Sequence, residues 1–238
     1  MTSRFYAPDL GETATLEGSE AHHLRNVLRL GLDDVVELFD GHGVRATARV
    51  TRIDKQTVAL AVLQRFEDPV SCRPTELVLA TAVPKGDRFR SLVEKATELG
   101  VDRLIPLRTE HSVVHPRPGK QDRMQQAIIA ACKQSGRNRL MTLDVLTDWA
   151  DLVDNTEATL VLSQRGGQPA TAVLAELRQQ QPAQLVLCVG PEGGWSDAEL
   201  DLARRAGITS VDLGPHVLRI ETAAVTLSVL AHPDYNSA

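Results

Sequence analysis

Residues Leu185–Leu200 read LVLCVGPEGGWSDAEL, and residues Leu213–Leu230 read LGPHVLRIETAAVTLSVL. Leu185, Val186, Leu187, Cys188 and Val189 form a continuous apolar run, the pattern of a strand covered on both faces. Gly190, Gly193 and Gly194 follow at once, and they permit positive φ and close approach of backbone to a ligand. Ser196 with Glu199 three residues later is a capping box, so a helix is expected from Asp197. Leu200, Ala203 and Gly207 continue and then close that helix. The second stretch has the same grammar of strand, Gly-Pro loop and helix. One such loop alone would serve as a tight connection. Two at neighbouring strands form the crevice that takes a nucleotide-like ligand in an α/β sheet. Neither loop is the G-x-G-x-x-G or the G-x-x-x-x-G-K-[ST] pattern, so a ligand other than NAD or ATP is expected.

Upstream the same alternation of elements continues. Leu77–Val83 reads as a strand, and Asp87 is placed to cap a helix with Phe89, Leu92, Val93, Ala96 and Leu99 on one face. Gly100 ends that helix. Asp102–Leu107 is an expected strand, Asp122–Ser135 a helix and Thr159–Ser163 a strand. Alternating β and α elements argue for a mostly parallel sheet covered on both faces. Pattern alone gives an ordinary doubly wound fold, because knotted chains are too rare to be proposed from spacing.

The first part of the chain is different. Val35–Phe39 is a strand, and Asp40-Gly41-His42-Gly43 a hairpin turn. Val44, Ala46, Ala48 and Val50 alternate with Arg45, Thr47, Arg49 and Thr51, which puts the small apolar residues inward. Thr57–Leu63 is the next strand. A helix from Ser19 to Leu30, with Ser19 as N-cap, interrupts the set. Several short strands in so small a unit suggest a closed β-barrel. Pro69 and Pro74 bracket a linker, dividing the chain into residues 1–70 and 73–238.

The 238 residues are 42% apolar, enough for a packed core, and carry a net charge of −5. That sign is unusual for a nucleic-acid reader. The distribution is more informative: Pro84–Arg139 holds twelve Lys or Arg against six Asp or Glu. Aromatic residues are only 3%, which argues against a broad stacking platform. Cys72, Cys132 and Cys188 form no C-x-x-C pair, which fits a reducing compartment and excludes an ordinary zinc module. No apolar run reaches about 18 residues, so a soluble cytoplasmic protein without a membrane partner is expected. His22 and His23 diverge on a helix and have no carboxylate at ligand spacing, so no metal site is expected. Ser112 and Ser163 lack a nucleophile's context, which argues against a hydrolase.

Taken in order and spacing, GPEGGWS and LGPHVLRIETA resemble the 16S ribosomal RNA uridine-N3 methyltransferase family, within the SPOUT superfamily of S-adenosylmethionine-dependent enzymes. The likeness extends through Pro84-Lys85-Gly86-Asp87-Arg88, Lys95–Val101, Thr109-Glu110-His111-Ser112 and Gln134–Asn138. It begins at Arg4-Phe5-Tyr6 and His22–Arg29, so it covers nearly the whole chain. The chain departs from the family pattern at three positions. His111 stands where an arginine is expected, Lys133 where a glutamate is, and Met141 where a proline is.

The resemblance implies a PUA-like RNA-binding barrel over residues 1–70. It implies a SPOUT α/β domain with a trefoil knot over 73–238, and a homodimer. Val225, Leu227, Val229 and Leu230 give the last helix apolar surface on more than one side, which fits a partner. The implied substrate is a uridine of 16S RNA in the small ribosomal subunit, and the implied cofactor S-adenosylmethionine. Leu162, Ser163, Gly190, Pro191, Glu192, Gly193, Gly194, Leu213, Gly214, Val217 and Leu218 are then the cofactor-binding candidates. Uracil N3 is a poor nucleophile until its proton leaves, so a cation near O2 or O4 would stabilise the developing anion. Arg219 is the candidate. Glu221 is either the base or the residue that holds Arg219, and the second role is preferred. RNA contacts are expected from Arg4, His23, Arg25, Arg29, Lys85, Arg88, Arg137 and Arg139. The competing reading is a non-catalytic RNA-binding or ribosome-assembly protein with a vestigial cofactor pocket.

Overall fold

The structure is a computed structural model that describes residues 3–68, 74–114 and 121–232. Pro69, Cys72 and Arg117 lie outside the described residues. The chain divides into two units, and the division is not a single cut. The first unit is Met1–Cys72 with Cys132–Leu140, and the second is Arg73–Ala131 with Met141–Ala238. The segment Cys132–Leu140, assigned from sequence to the second part, groups with the first.

In the first unit, β1 (Arg4–Tyr6) and β2 (Thr13–Leu16) precede α1 (Gly18–His22), followed by β3 (Val35–Phe39), β4 (Val44–Ile53) and β5 (Val58–Glu67). The sheet order is β1-β3-β4-β5-β2. Its core is Phe5, Leu16, Leu24, Val36, Leu38, Ala48, Val50 and Leu60. The inward alternation of β4 is realised, with Ala46, Ala48 and Val50 buried. The expected barrel closure differs: among the described residues no ladder joins β1 to β2. The N–H of Tyr6 on β1 donates instead to Glu20 Oε2, at 3.1 Å.

The helix expected from Ser19 also differs. It starts at Gly18 after Glu17, and Ser19 makes no capping bond. At His23 it widens into a π-helical turn, His23–Val27. Arg29 then ends it, at φ +54.

The second unit holds β6 (Glu76–Ala82), α2 (Arg88–Glu98), β7 (Arg103–Arg108) and α3 (Gln121–Ser135), whose last turn belongs to the first unit. Then come β8 (Thr142–Leu143), β9 (Thr147–Asp148), α4 (Trp149–Asp154), β10 (Thr159–Pro169), α5 (Ala170–Gln180), β11 (Gln184–Val189), α6 (Asp197–Arg205), β12 (Thr209–Asp212) and α7 (Ile220–Ala231). The order is β12-β10-β11-β6-β7-β8, with β9 also on β7. Every pairing is parallel. A parallel sheet needs both faces covered. Val78, Ala80, Val186 and Cys188 pack on one face with Trp149, Leu152 and Ala203 of α4 and α6. On the other face α7 lies against β6, β11, α2 and α5. Met141, where a proline was expected, is buried, its sulfur 3.9 Å from the Thr97 hydroxyl oxygen, which donates to the Val93 carbonyl at 2.8 Å.

Two sequence expectations about the ligand loops are corrected. The strand of the second block is β12, upstream of Leu213. The two loop-bearing strands are also not neighbours, because β10 lies between β11 and β12. β10 runs on to Pro169 through a register shift between Ser163 and Gln168. Its Gln-Arg-Gly-Gly stretch has the composition of a turn, which hides that extension from a pattern reading.

Candidate active site

At the register shift of β10 and the carboxyl ends of β11 and β12 lies a cavity of about 450 Å³, formed by Ser163–Arg165, Val189–Trp195, Asp212–Gly214, His216–Ile220 and Ala223. This is the crevice position expected in an open α/β sheet. Three local devices hold its walls.

The first is the capping box of α6. Ser196 Oγ accepts the Glu199 N–H at 3.3 Å, and Glu199 Oε2 accepts the Ser196 N–H at 2.9 Å. The other oxygen of Glu199 accepts the Glu110 N–H at 2.9 Å, so one carboxylate joins the loop after β7 to the start of α6.

The second is Trp195. Its indole N–H donates to the Ser163 carbonyl at 3.1 Å, and its ring packs on Trp149 with centroids 4.7 Å apart. A side chain at Gly190 would meet this ring at 2.8 Å, which explains the glycine there.

The third is Asp212. Its carboxylate accepts N–H groups from Gly166 at 2.8 Å and Gly214 at 2.9 Å, tying the β10 extension to the β12 loop. Those backbone donors hold its carboxyl below the ordinary carboxylate range.

Of the expected cofactor residues, Ser163, Gly190, Pro191, Glu192, Gly193, Gly194, Leu213, Gly214, Val217 and Leu218 all line the cavity. Leu162 does not; it is fully buried in the core beneath it. Sequence reasoning missed Gln164, Arg165, Val189, Trp195, Asp212, His216, Ile220 and Ala223. Trp195 and Asp212 directly adjoin the glycine loops, and that adjacency was the available signal.

Arg219 also lines the cavity, as the N-cap residue of α7. Glu221 does not hold it. Glu221 Oε1 lies 3.7 Å from Arg88 Nη1, and Arg88 Nη2 lies 3.4 Å from Glu192 Oε1. The Arg219–Glu221 pair expected from sequence is therefore replaced by an Arg88–Glu221 pair. Residues two apart on a helix start do not face each other, whereas α2 and α7 pack together.

The expected RNA contacts are divided between the units. In the first unit Arg4 is withdrawn from the surface. It donates to Arg137 O and Asn138 Oδ1, lies 3.3 Å from Glu37 and sits over the Phe39 ring. Burial pushes its guanidinium below the usual arginine range. His23 is turned inward against Phe5 and Lys133. Arg25 donates to Lys55 O. Arg137 is half-buried, and Arg29 and Arg139 are exposed. In the second unit Lys85 is exposed.

The crevice suits S-adenosylmethionine. Its volume falls in the range of small-molecule sites. It offers loop backbone for hydrogen bonding and apolar side chains at Val217, Leu218 and Ile220 to pack a ring. The residues present fit the cofactor. Among the described residues no group of three or more His, Cys, Asp or Glu side chains is placed to hold a metal. No helix among them is long and apolar enough to cross a membrane.

A fully parallel α/β unit with this crevice, joined to a small β unit, has the architecture that binds a nucleotide-like ligand. The family profile for the RNA methyltransferase domain matches residues 71–232, and that for the RNA methyltransferase PUA domain matches 16–63. The chain is 33% identical over 214 residues to ribosomal RNA small subunit methyltransferase E of Synechocystis, covering 89% of this chain and 70% of that one. A Legionella pneumophila protein solved in complex with the bound cofactor SAM matches with TM-score 0.83 and 32% identity over 97% of both chains. Ribosomal RNA small subunit methyltransferase E of Neisseria gonorrhoeae, bound to S-adenosyl methionine, also matches with TM-score 0.83 and 32% identity, over 97% of this chain and 96% of that one. This chain belongs to the RNA methyltransferase family of the ribosomal RNA small subunit methyltransferases E, with a PUA-like first domain.

Proposed function

We propose that this protein methylates N3 of a uridine in 16S ribosomal RNA of the small ribosomal subunit, with S-adenosylmethionine as donor. The observation that carries the reading is Arg219 on the wall of a crevice built by three parallel strands, at the register shift of β10 and the ends of β11 and β12. The cofactor supplies an electrophilic methyl group when bound. The Gly190–Gly194 and Leu213–Leu218 loops would hold it, with Ser163 as the third wall. Arg219 is exposed and has no ion pair among the described residues, so its fork is available to a uracil carbonyl. There it offsets the negative charge that develops as N3 loses its proton.

Val217 supports the same reading. It is 77% exposed on the crevice rim, an apolar side chain without cover. A bound adenosine or a second protomer would cover it. The dimer, the trefoil knot and the cytoplasmic setting belong to this proposal. For the dimer, the support is that Val225, Val229 and Leu230 remain half-buried on α7. For the knot, it is the path of the chain from the edge strand β12 to α7 against the interior strands β11 and β6. The β unit, with its exposed Arg29 and Arg139, and Lys85 are the proposed RNA-facing elements.

Titration calorimetry with S-adenosylmethionine, followed by mass spectrometry of small-subunit RNA methylated in vitro, tests the proposal. Binding and one 3-methyluridine are expected. A chain that binds RNA but not the cofactor would instead be an assembly factor. Light scattering at the monomer mass would remove the dimer.

A further inference from the structure

We infer that Arg88 is a positioning residue: its guanidinium ties the Gly190–Gly194 loop to the head of α7 and so fixes the width of the cofactor crevice. The inference rests on reading that crevice as an S-adenosylmethionine site. All three faces of the guanidinium fork are used. Nε donates to the Lys85 carbonyl at 3.2 Å, which anchors the side chain at the turn after β6. Nη2 is 3.4 Å from Glu192 in the glycine loop, and Nη1 is 3.7 Å from Glu221 in the first turn of α7.

These two carboxylates belong to the two separate loop systems that wall the cavity. The other restraints act elsewhere. Asp212 joins β10 to the β12 loop, and His111 meets Gly194 from outside. Among the described residues no other hydrogen bond or ion pair links Glu192's loop to α7. Glu221 Oε2 is buried and has no hydrogen-bond partner, so Arg88 is the cation that compensates this carboxylate. An arginine fork can span three acceptors at fixed angles, and a lysine ammonium cannot. The arginine expected from sequence to meet RNA is thereby occupied with shaping the cofactor site.

The test uses the full chain and four variants: Arg88→Ala, Arg88→Lys, Glu192→Gln and Arg88→Ala with Glu221→Gln. Cofactor affinity by calorimetry, thermal midpoint, and KM and kcat on small subunits are measured for each. Arg88→Ala should weaken cofactor binding about fivefold to tenfold, the scale of two half-exposed ion pairs. KM for the cofactor should rise with it, and kcat should change far less. Arg88→Lys should recover only part of the affinity. Glu192→Gln alters an exposed arm, so it should fold normally and still lose affinity. Adding Glu221→Gln to Arg88→Ala removes the uncompensated charge and should restore the thermal midpoint without restoring affinity.

Wild-type affinity in Arg88→Ala would overturn the inference, as would affinity that recovers in step with the midpoint. A raised KM for the ribosomal substrate with unchanged cofactor affinity would return Arg88 to RNA contact. Failure of the unaltered chain to bind the cofactor would sink the functional reading itself.

Discussion

His111 Nδ1 lies 3.0 Å from the carbonyl oxygen of Gly194, and its Cβ would stand 2.9 Å from a side chain at Gly193. A carbonyl only accepts, so His111 presents Nδ1–H to it. The glycine loop is thus pressed between the cofactor crevice and the loop after β7. A branched side chain at Gly193 has no room on the His111 side and would push the loop into the crevice. Gly193→Val should abolish measurable S-adenosylmethionine binding while circular dichroism shows the fold retained. Wild-type affinity would remove this loop from the site.

Lys133 illustrates a departure from the family pattern that the structure explains. Its ammonium lies 2.9 Å from both oxygens of Glu20 and 5.1 Å from the centre of the Phe5 ring. Both side chains of the pair are largely buried, at 16% and 15% exposure. Lys133→Glu would set two carboxylates against each other and should cost about 3 kcal/mol, the lower end for a broken buried pair. Exchanging both, with Glu20→Lys, should recover part of this in urea denaturation. Recovery stays incomplete because the Tyr6 N–H loses its Glu20 acceptor. A Lys133→Glu variant as stable as wild type would show that the pair contributes nothing.

His23 gives the first unit a pH dependence. Burial, and then the Lys133 charge, hold its imidazole below the ordinary histidine value. In the window between that depressed value and about 6.5, the unfolded chain binds more protons than the folded one. Its contribution is therefore full above that window and lost as pH falls through the folded value. Stability of the wild-type chain should drop between neutral and mildly acidic pH more than that of His23→Gln. Equal slopes in denaturant melts of the two proteins would refute this.

What the sequence made legible was local. The apolar run Leu185–Val189 and the Ser196–Glu199 capping box each depend on neighbours in the chain, and both appear as expected. The glycine loops belong to this class too. What stayed hidden depends on partners far along the chain. Arg4 has the composition of a surface cation, but Asn138, 134 residues away, and Glu37 take it inward. Glu221 sits two residues from Arg219, yet Arg88 claims it through the packing of α2 on α7. Cys132–Ser135 continues the α3 pattern up to the break at Gly136, and only tertiary contacts assign this last turn and the residues to Leu140 to the first unit.

Arg219→Lys tests the proposed chemistry. Lysine keeps the charge but loses the planar fork that engages a carbonyl. Arg219 makes no ion pair among the described residues, so the substitution breaks no internal contact recorded there, and the thermal midpoint should stay within a degree or two, the scale of about 0.5 kcal/mol at a surface site. Its side chain lines the crevice, so any loss must arise in ligand binding or in the reaction. If Arg219 stabilises charge developing on the uracil, kcat should fall about a hundredfold or more, the scale of a lost oxyanion donor. Cofactor affinity should change little, because such a group acts in the transition state rather than in uniform binding. Weaker cofactor binding with normal kcat would reassign Arg219 to holding the loop. Wild-type values throughout would leave the developing charge to another cation.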